Sequence, residues 1–166
     1  MKLKDILADN VSDVEKRFIS GNVLTGTQVE LNGYLGAYDN QISVIPEGRE
    51  ARFIGWLTPN FDLFSYYKSM FSWLTPGKKY KLNTNMNGGE RAFVVTGKFE
   101  EVFPFDIYPM QLIKAVMAED IDLMEQLGIY EVEAEDFALI EYISTSKMEI
   151  QSIIHNGLEF LRKELS

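Results

Sequence analysis

The chain contains no cysteine and only one histidine in 166 residues. The absence of cysteine excludes internal disulfides, zinc–thiolate sites and iron–sulfur clusters held by this chain, and it leaves the redox compartment undetermined. The histidine, His155, has no evident acidic or serine partner, so we expect it at the surface. No nucleophile elbow and no dinucleotide fingerprint occur. The residues therefore predict no catalytic site and no metal site.

Long hydrophobic runs are also missing. No apolar run approaches the roughly 20 residues that a membrane-spanning helix needs. The chain does not open with a positively charged segment followed by an apolar one, so we expect no secretory signal. With 46% hydrophobic residues, it can form a real core. We expect a soluble chain whose attachment to a membrane comes through a partner.

Basic residues are scarce in the C-terminal third. Residues 115–166 contain 12 acidic and 3 basic side chains, whereas residues 1–114 contain 13 of each, so the net charge of −9 arises entirely in that third. This excess disfavours nucleic acid as a partner. The acids cluster without the glycine-bearing spacing of a calcium loop, which favours solvated positions in the first turns of helices. The two clusters are Glu119, Asp120 and Asp122, and Glu131, Glu133, Glu135 and Asp136.

The periodicity of the chain changes along its length and predicts an α+β protein. Residues 2–9 have helical spacing, and β-like runs at residues 17–19 and 41–44 follow, separated by glycine-containing turns. We predict a small α+β unit over residues 1–56 that lacks a strand before residue 1, a β-rich connecting region over residues 57–102, and a helical domain over residues 103–166.

The connecting region combines β-favouring runs with turns. We predict a strand over residues 64–73 and a hairpin formed by residues 80–84 and 91–96. Gly88 and Gly89 lie in the turn of this hairpin. Since no helix follows them directly, they are expected to form a loop rather than a phosphate cradle.

Helical patterns begin at Pro109, which suits the first position of a helix. Gly128 suits the residue after a helix end, and residues 133–143 carry a further apolar stripe. The last helix is predicted to begin with a capping box of Ser146 and Glu149. Its inner stripe consists of Ile150, Ile153, Ile154, Gly157 and Leu161.

Aromatic residues concentrate between residues 53 and 80. Packing in a core or in a contact with a partner protein is the favoured interpretation, and a pocket for a flat ligand such as a quinone is the alternative. A stacking platform for single-stranded nucleic acid is disfavoured, because few lysines accompany the rings. The nine side chains are Phe53, Trp56, Phe61, Phe64, Tyr66, Tyr67, Phe71, Trp73 and Tyr80.

Most of the chain resembles one protein family. The stretches GWLTPNFDLFS, NGGERAFVVTGKFEEVFPFDIYP and LGIYEVEAEDFAL, with RFISGNVLTG and YLGAYDNQISVIPEGRE upstream, are similar to the A subunit of the bacterial sodium-translocating NADH:quinone oxidoreductases. The resemblance implies a C-terminal fragment of a longer protein. It also implies that the early residues form an incomplete soluble-ligand-binding β-grasp domain, followed by a helical domain.

The chain also resembles a related protein, the C subunit of the Rnf electron-transport complex. Its helical tail carries two runs of the form Cys-x₂-Cys-x₂-Cys-x₃-Cys-Pro that bind [4Fe–4S] clusters. None of the eight corresponding side chains here is a thiolate, which implies a cluster-free ferredoxin-type tail. The positions are Phe93, Thr96, Phe99 and Phe103 before Pro104, and Ala134, Phe137, Ile140 and Ser144 before Thr145.

The family resemblance also implies a function. In that family NADH is oxidised at a flavin on a different subunit, whereas the A subunit lies on the cytoplasmic face of the bacterial inner membrane, docked on a membrane subunit. We expect this chain to be an assembly scaffold without its own redox cofactor, bound to other subunits of the complex. The alternative is a module that contributes to a quinone site. Cofactor-binding residues are not identified by the sequence.

Overall fold

The computed structural model of the chain describes residue 3, residues 15–50, residues 55 and 58, and residues 60–166. The chain forms two compact units, Met1–Asn87 and Gly88–Ser166, which we call the sheet unit and the helical unit. The division into segments 1–56, 57–102 and 103–166 stays a prediction. Together the two units give a mixed α and β protein, as the sequence predicts.

The sheet unit contains a three-stranded antiparallel sheet in the order β2-β1-β3. The strands are β1 (Lys16–Ser20), β2 (Thr27–Val29) and β3 (Ile42–Pro46). Phe18 in the central strand lies opposite Val29 on one side and Val44 on the other. The predicted strands at residues 17–19 and 41–44 are confirmed. The β-grasp assignment stays a prediction.

Glycine shapes the turn between β1 and β2. Gly21 has φ +93°, a left-handed conformation that side chains with a Cβ rarely adopt. The Gly26 amide donates to the Asn22 carbonyl across 2.9 Å, which closes the turn. The predicted glycine turn is therefore confirmed. Of the helix predicted over residues 2–9, only Leu3 is described; it is helical and buried.

Residues 60–102 contain no strand in the described structure; one short 3₁₀ turn, Phe71–Leu74, is present. The predicted strand over residues 64–73, the hairpin and the β-rich character of this region are therefore wrong for the described residues. Aromatic residues favour strands only where a neighbouring strand completes the pairing. Here the Arg91 amide donates instead to the Ser146 carbonyl across 2.8 Å.

The helical unit contains the four described α-helices α1 (Pro109–Met117), α2 (Ile121–Gln126), α3 (Ala138–Ile143) and α4 (Ile150–Glu164). The 3₁₀ turns Ile129–Glu131 and Ala134–Phe137 lie between α2 and α3. Pro109 is the first residue of α1, as predicted. Gly128, two residues after α2, adopts φ +85° and ends that helical segment, also as predicted.

The core of the helical unit lies between these helices. Gly157 on α4 is buried where α1 approaches it, and a Cβ on Gly157 would come within 2.6 Å of Val116 Cγ1. The predicted inner stripe of α4 is confirmed for four members; the fifth, Ile153, is half-buried. The fully buried side chains of this unit include Leu112, Ile113, Met124, Ile129, Phe137, Ile140, Ile150 and Ile154.

The predicted capping box of α4 is wrong. The helix has Glu149 at its N-cap, and the Glu149 side chain does not cap it. The Gln151 amide in the first turn donates instead to the Glu141 carboxylate across 2.8 Å. Ser146 is buried, and its hydroxyl donates to the Ala92 carbonyl across 3.3 Å. The Ser146 hydroxyl therefore bonds to a residue distant in sequence, not to the start of α4.

Across the described ranges, no helix is long and apolar enough to cross a bilayer.

Candidate functional site

The eight positions of the two cluster-like runs lie in the helical unit, and most are buried. Phe99 and Phe103 are buried, Phe93 is half-buried and Thr96 is exposed. In the second run Phe137, Ile140 and Ser144 are fully buried, and Ala134 is half-buried. Phe99 and Phe103 therefore pack in the interior of this unit, and Phe93 does so in part.

Contacts cross between the two runs. The ring of Phe103, the fourth position of the first run, lies 4.8 Å from the ring of Phe137 in the second run. The segment that ends the second run in turn reaches the start of the first, because Ser146 bonds to both Arg91 and Ala92. In two-cluster ferredoxins the fourth cysteine of each run ligates the other cluster.

These side chains do not fit an iron–sulfur cluster. Phenylalanine, isoleucine and alanine offer no thiolate, which is the ligand that such clusters require. The Ser144 hydroxyl oxygen accepts a hydrogen bond from the Ser146 amide across 3.2 Å. Aromatic rings pack against each other here: the ring centroids of Phe93 and Phe99 lie 6.3 Å apart, edge to face. In the part of the chain that the structure describes, no group of three or more acidic or histidine side chains is placed to hold a metal ion.

The aromatic residues of the connecting region are not a core. Phe61, Phe64, Phe71 and Trp73 are between 44% and 52% exposed, so core packing is wrong for these four. Tyr66, Tyr67 and Tyr80 are half-buried. Phe53 and Trp56 lie outside the described residues. Interface packing and ligand binding both stay open for this segment.

The aromatic segment is held together by ring pairs and one lysine. Phe61 and Phe71 have ring centroids 5.9 Å apart, and Phe64 lies 5.8 Å from Tyr80. Lys78 Nζ donates to the Phe61 carbonyl across 2.7 Å and pairs with Asp62 at 2.6 Å. The segments 61–64 and 71–80 therefore pack against each other.

An apolar groove of about 490 Å³ lies on the helical unit. Its walls come from α4, the residues after it and the exposed Tyr130. The Glu125 carboxylate accepts a hydrogen bond from the Tyr130 hydroxyl across 2.8 Å and raises the pKa of that phenol. All the residues that line this groove belong to the helical unit.

The acidic clusters act at helix starts, as predicted. Asp120 is the N-cap of α2 and accepts a hydrogen bond from the Leu123 amide at 3.1 Å. Glu133 and Asp136 form a reciprocal capping box around the turn that precedes α3. These carboxylates bind the free amides of helix N-termini.

His155 is exposed on α4, also as predicted.

A charged network that the sequence analysis missed secures the end of β3. Arg17 on β1 donates to both carboxylate oxygens of Glu47, at 3.0 and 2.6 Å. Thr84 donates to the same carboxylate at 2.8 Å. The Arg17 hydrogen bonds, followed by the one from Thr84, lower the pKa of Glu47 below its ordinary value of 4.5. Its partners lie 30 and 37 residues away, so no local pattern indicated the network.

Comparisons with known proteins agree with the sequence resemblance. No protein-family model matches the chain. The A subunit of the Na(+)-translocating NADH-quinone reductase of Rhodopirellula baltica is 40% identical over 96% of this chain and 36% of its own length. The proteins of the same name from Neisseria meningitidis and Shewanella denitrificans are 38% and 36% identical over 98% of the chain.

The chain spans a little over a third of the length of these relatives: 36% of the first and 37% of the other two. The similarity runs through both the sheet unit and the helical unit, since it covers at least 96% of the chain. The chain therefore belongs to the family formed by the A subunits of the Na(+)-translocating NADH-quinone reductases.

Proposed function

We propose that this chain is a scaffold portion of the A subunit in a complex that couples NADH oxidation and quinone reduction to sodium export. In this proposal it binds other subunits, one of them in the membrane, on the cytoplasmic face of the bacterial inner membrane. The sheet unit is an incomplete β-grasp domain. The helical unit is a ferredoxin-type tail in which side-chain packing has replaced both clusters.

The crossed contact between the two runs carries the scaffold proposal. Phe103 and Phe137 occupy positions from different runs, and their rings pack at 4.8 Å in a buried interior. Ser146 links the opposite ends of the runs through Arg91 and Ala92. A ferredoxin-type tail needs the same chain crossing to complete its clusters. The contacts between the two runs support a chain path retained from a ferredoxin-type tail, whereas the lack of thiolates at the eight positions supports loss of the clusters.

Two measurements test the scaffold proposal. The purified chain should show no visible absorbance from iron or flavin, and a stoichiometric chromophore would overturn the absence of a redox centre. When supplied to a complex that lacks its own A subunit, the chain should co-purify with the remaining subunits. A Phe137→Ala variant, whose helical unit is destabilised, should be retained less. If the wild-type chain and the variant are washed off the complex to the same extent, a docking role is contradicted.

A quinone-binding module is the second candidate function, because aromatic side chains between residues 61 and 80 are accessible. Ligand pockets are commonly lined by such rings with a few polar groups. Titration with a water-soluble quinone should quench the fluorescence of Trp56 or Trp73 in a saturable way. Quenching that rises linearly with quinone, with no plateau, would reject this candidate while leaving the scaffold proposal standing.

A further inference from the structure

Three exposed lysines lie close in sequence to the exposed rings of the connecting region. We call these rings and lysines the aromatic–lysine patch. Phe71 and Trp73 lie in one 3₁₀ turn. Lys79 and Lys81 directly precede and follow Tyr80 in the chain, and the Tyr80 ring packs on Phe64. The members are Phe61, Phe64, Phe71, Trp73, Lys68, Lys79 and Lys81.

The charge of this region is opposite to that of the helical unit. Residues 60–86 contain four lysines and one acid, Asp62, which pairs with Lys78. The other three lysines take part in none of the ion pairs found among the described residues. The helical unit contains 16 acidic and 6 basic residues. A negatively charged surface would attract the patch and repel the helical unit.

We propose that the aromatic–lysine patch contacts the headgroup region of an anionic lipid bilayer. Tryptophan, here Trp73, settles at the interface between lipid and water, and the three phenylalanines add apolar area that can enter it. Lysines bind acidic headgroups while their stems lie along apolar surface. This proposal does not depend on the scaffold function. It adds a direct lipid contact to attachment through partner subunits.

The lysines favour lipid over the other classes of partner. Protein interfaces are enriched in aromatic residues but depleted of lysine, which is costly to desolvate there. A nucleic-acid surface would need a longer basic track along the stacked rings. The segment offers both requirements of an interfacial contact, because its exposed rings supply apolar area and its three exposed lysines supply attraction to anionic headgroups.

Vesicle flotation tests the proposal. The chain is mixed at low salt with vesicles of phosphatidylglycerol and phosphatidylcholine, or of phosphatidylcholine alone. We expect binding to the anionic vesicles and its loss as salt rises. The triple variant Lys68→Gln, Lys79→Gln, Lys81→Gln should bind about a hundredfold more weakly, at about fivefold per lysine.

A matched control separates the patch from net charge. The triple variant Lys114→Gln, Arg162→Gln, Lys163→Gln removes three positive charges from the helical unit and should bind within about twofold of the wild-type chain. Circular dichroism verifies that both triple variants remain folded. Equal weakening by the two triple variants, or no binding of the wild-type chain at low salt, overturns the proposal.

Tryptophan fluorescence locates the contact. In a Trp56→Phe background, Trp73 is the only tryptophan, and it should be quenched by lipids brominated near the headgroup. An unquenched Trp73 on bound vesicles overturns the assignment of the surface. If the patch variant binds vesicles normally but fails to co-purify with the complex, the surface binds protein and the lipid proposal is wrong.

Discussion

Removal of the Phe137 ring is the sharpest test of the proposal that packing replaces metal in the helical unit. Phe137 is 0% exposed, and its ring lies 4.8 Å from that of Phe103. Truncation of a buried phenylalanine to alanine costs about 3–5 kcal/mol, because transfer energy is lost and a cavity remains. We therefore expect Phe137→Ala to lower the melting temperature of the helical unit by at least about 12 °C.

Far-UV circular dichroism is the suitable assay, since helices α1 to α4 all lie in the helical unit. The matched control is Leu139→Ala, on the same helical segment but 48% exposed. Its effect on the free energy of unfolding should stay within about 0.5 kcal/mol. The comparison separates burial from helix propensity.

A double-mutant cycle isolates the contact between the two runs. Phe103→Leu and Phe137→Leu retain most of the apolar volume but remove the ring pair, which should show a coupling energy of about 0.5–1.5 kcal/mol. A loss below about 1 kcal/mol for Phe137→Ala, or additive effects of the two leucine variants, would refute the packing argument.

Three further predictions concern separate features. Gly157→Ala should destabilise the helical unit, since overpacking against Val116 costs about 1–3 kcal/mol and exceeds the roughly 1 kcal/mol gained in helix propensity. Adding Val116→Ala should restore part of the lost stability. If Gly157→Ala alone is more stable than the wild-type chain, the contact with Val116 is contradicted. Glu47 has a lowered pKa in the folded chain, so its stabilising effect is present above its ordinary pKa of 4.5 and is lost as the pH falls through the folded value. In Glu47→Gln the free energy of unfolding should therefore fall less steeply on acidification than in the wild-type chain. The same fall in both proteins would contradict this. Asp120→Ala should cost about 0.5–2 kcal/mol in urea unfolding, because the N-cap of α2 is lost, whereas Asp120→Asn should be near neutral.

The sequence predicted the helical unit better than the connecting region, and the reason is physical. The limits of α1 and α2 depend on Pro109 and Gly128, whose backbone preferences act on the residue itself. A strand instead requires a partner supplied from elsewhere in the chain. Residues 64–73 have β-favouring side chains but no such partner in the described structure, so propensity alone misled.

The candidate site shows the same limit. The cluster-like positions were found through the resemblance to the Rnf C subunit, whose cysteine runs are local in sequence. Burial of Phe99 and Phe103 agrees with their apolar character. Ser146 was assigned to a helix cap from nearby residues, but it bonds to Ala92, 54 positions away. Long-range hydrogen bonds of this kind leave no mark on local periodicity.

The link from Ser146 to Arg91 and Ala92 also has a kinetic consequence. It closes a loop of 54 residues, whose length-dependent entropy cost is about 3.5 kcal/mol. Contacts that close long loops form after local helices do. The Arg91 amide proton should therefore exchange slowly only when the whole helical unit is assembled. A single backbone proton at the edge of this unit would report its cooperative opening.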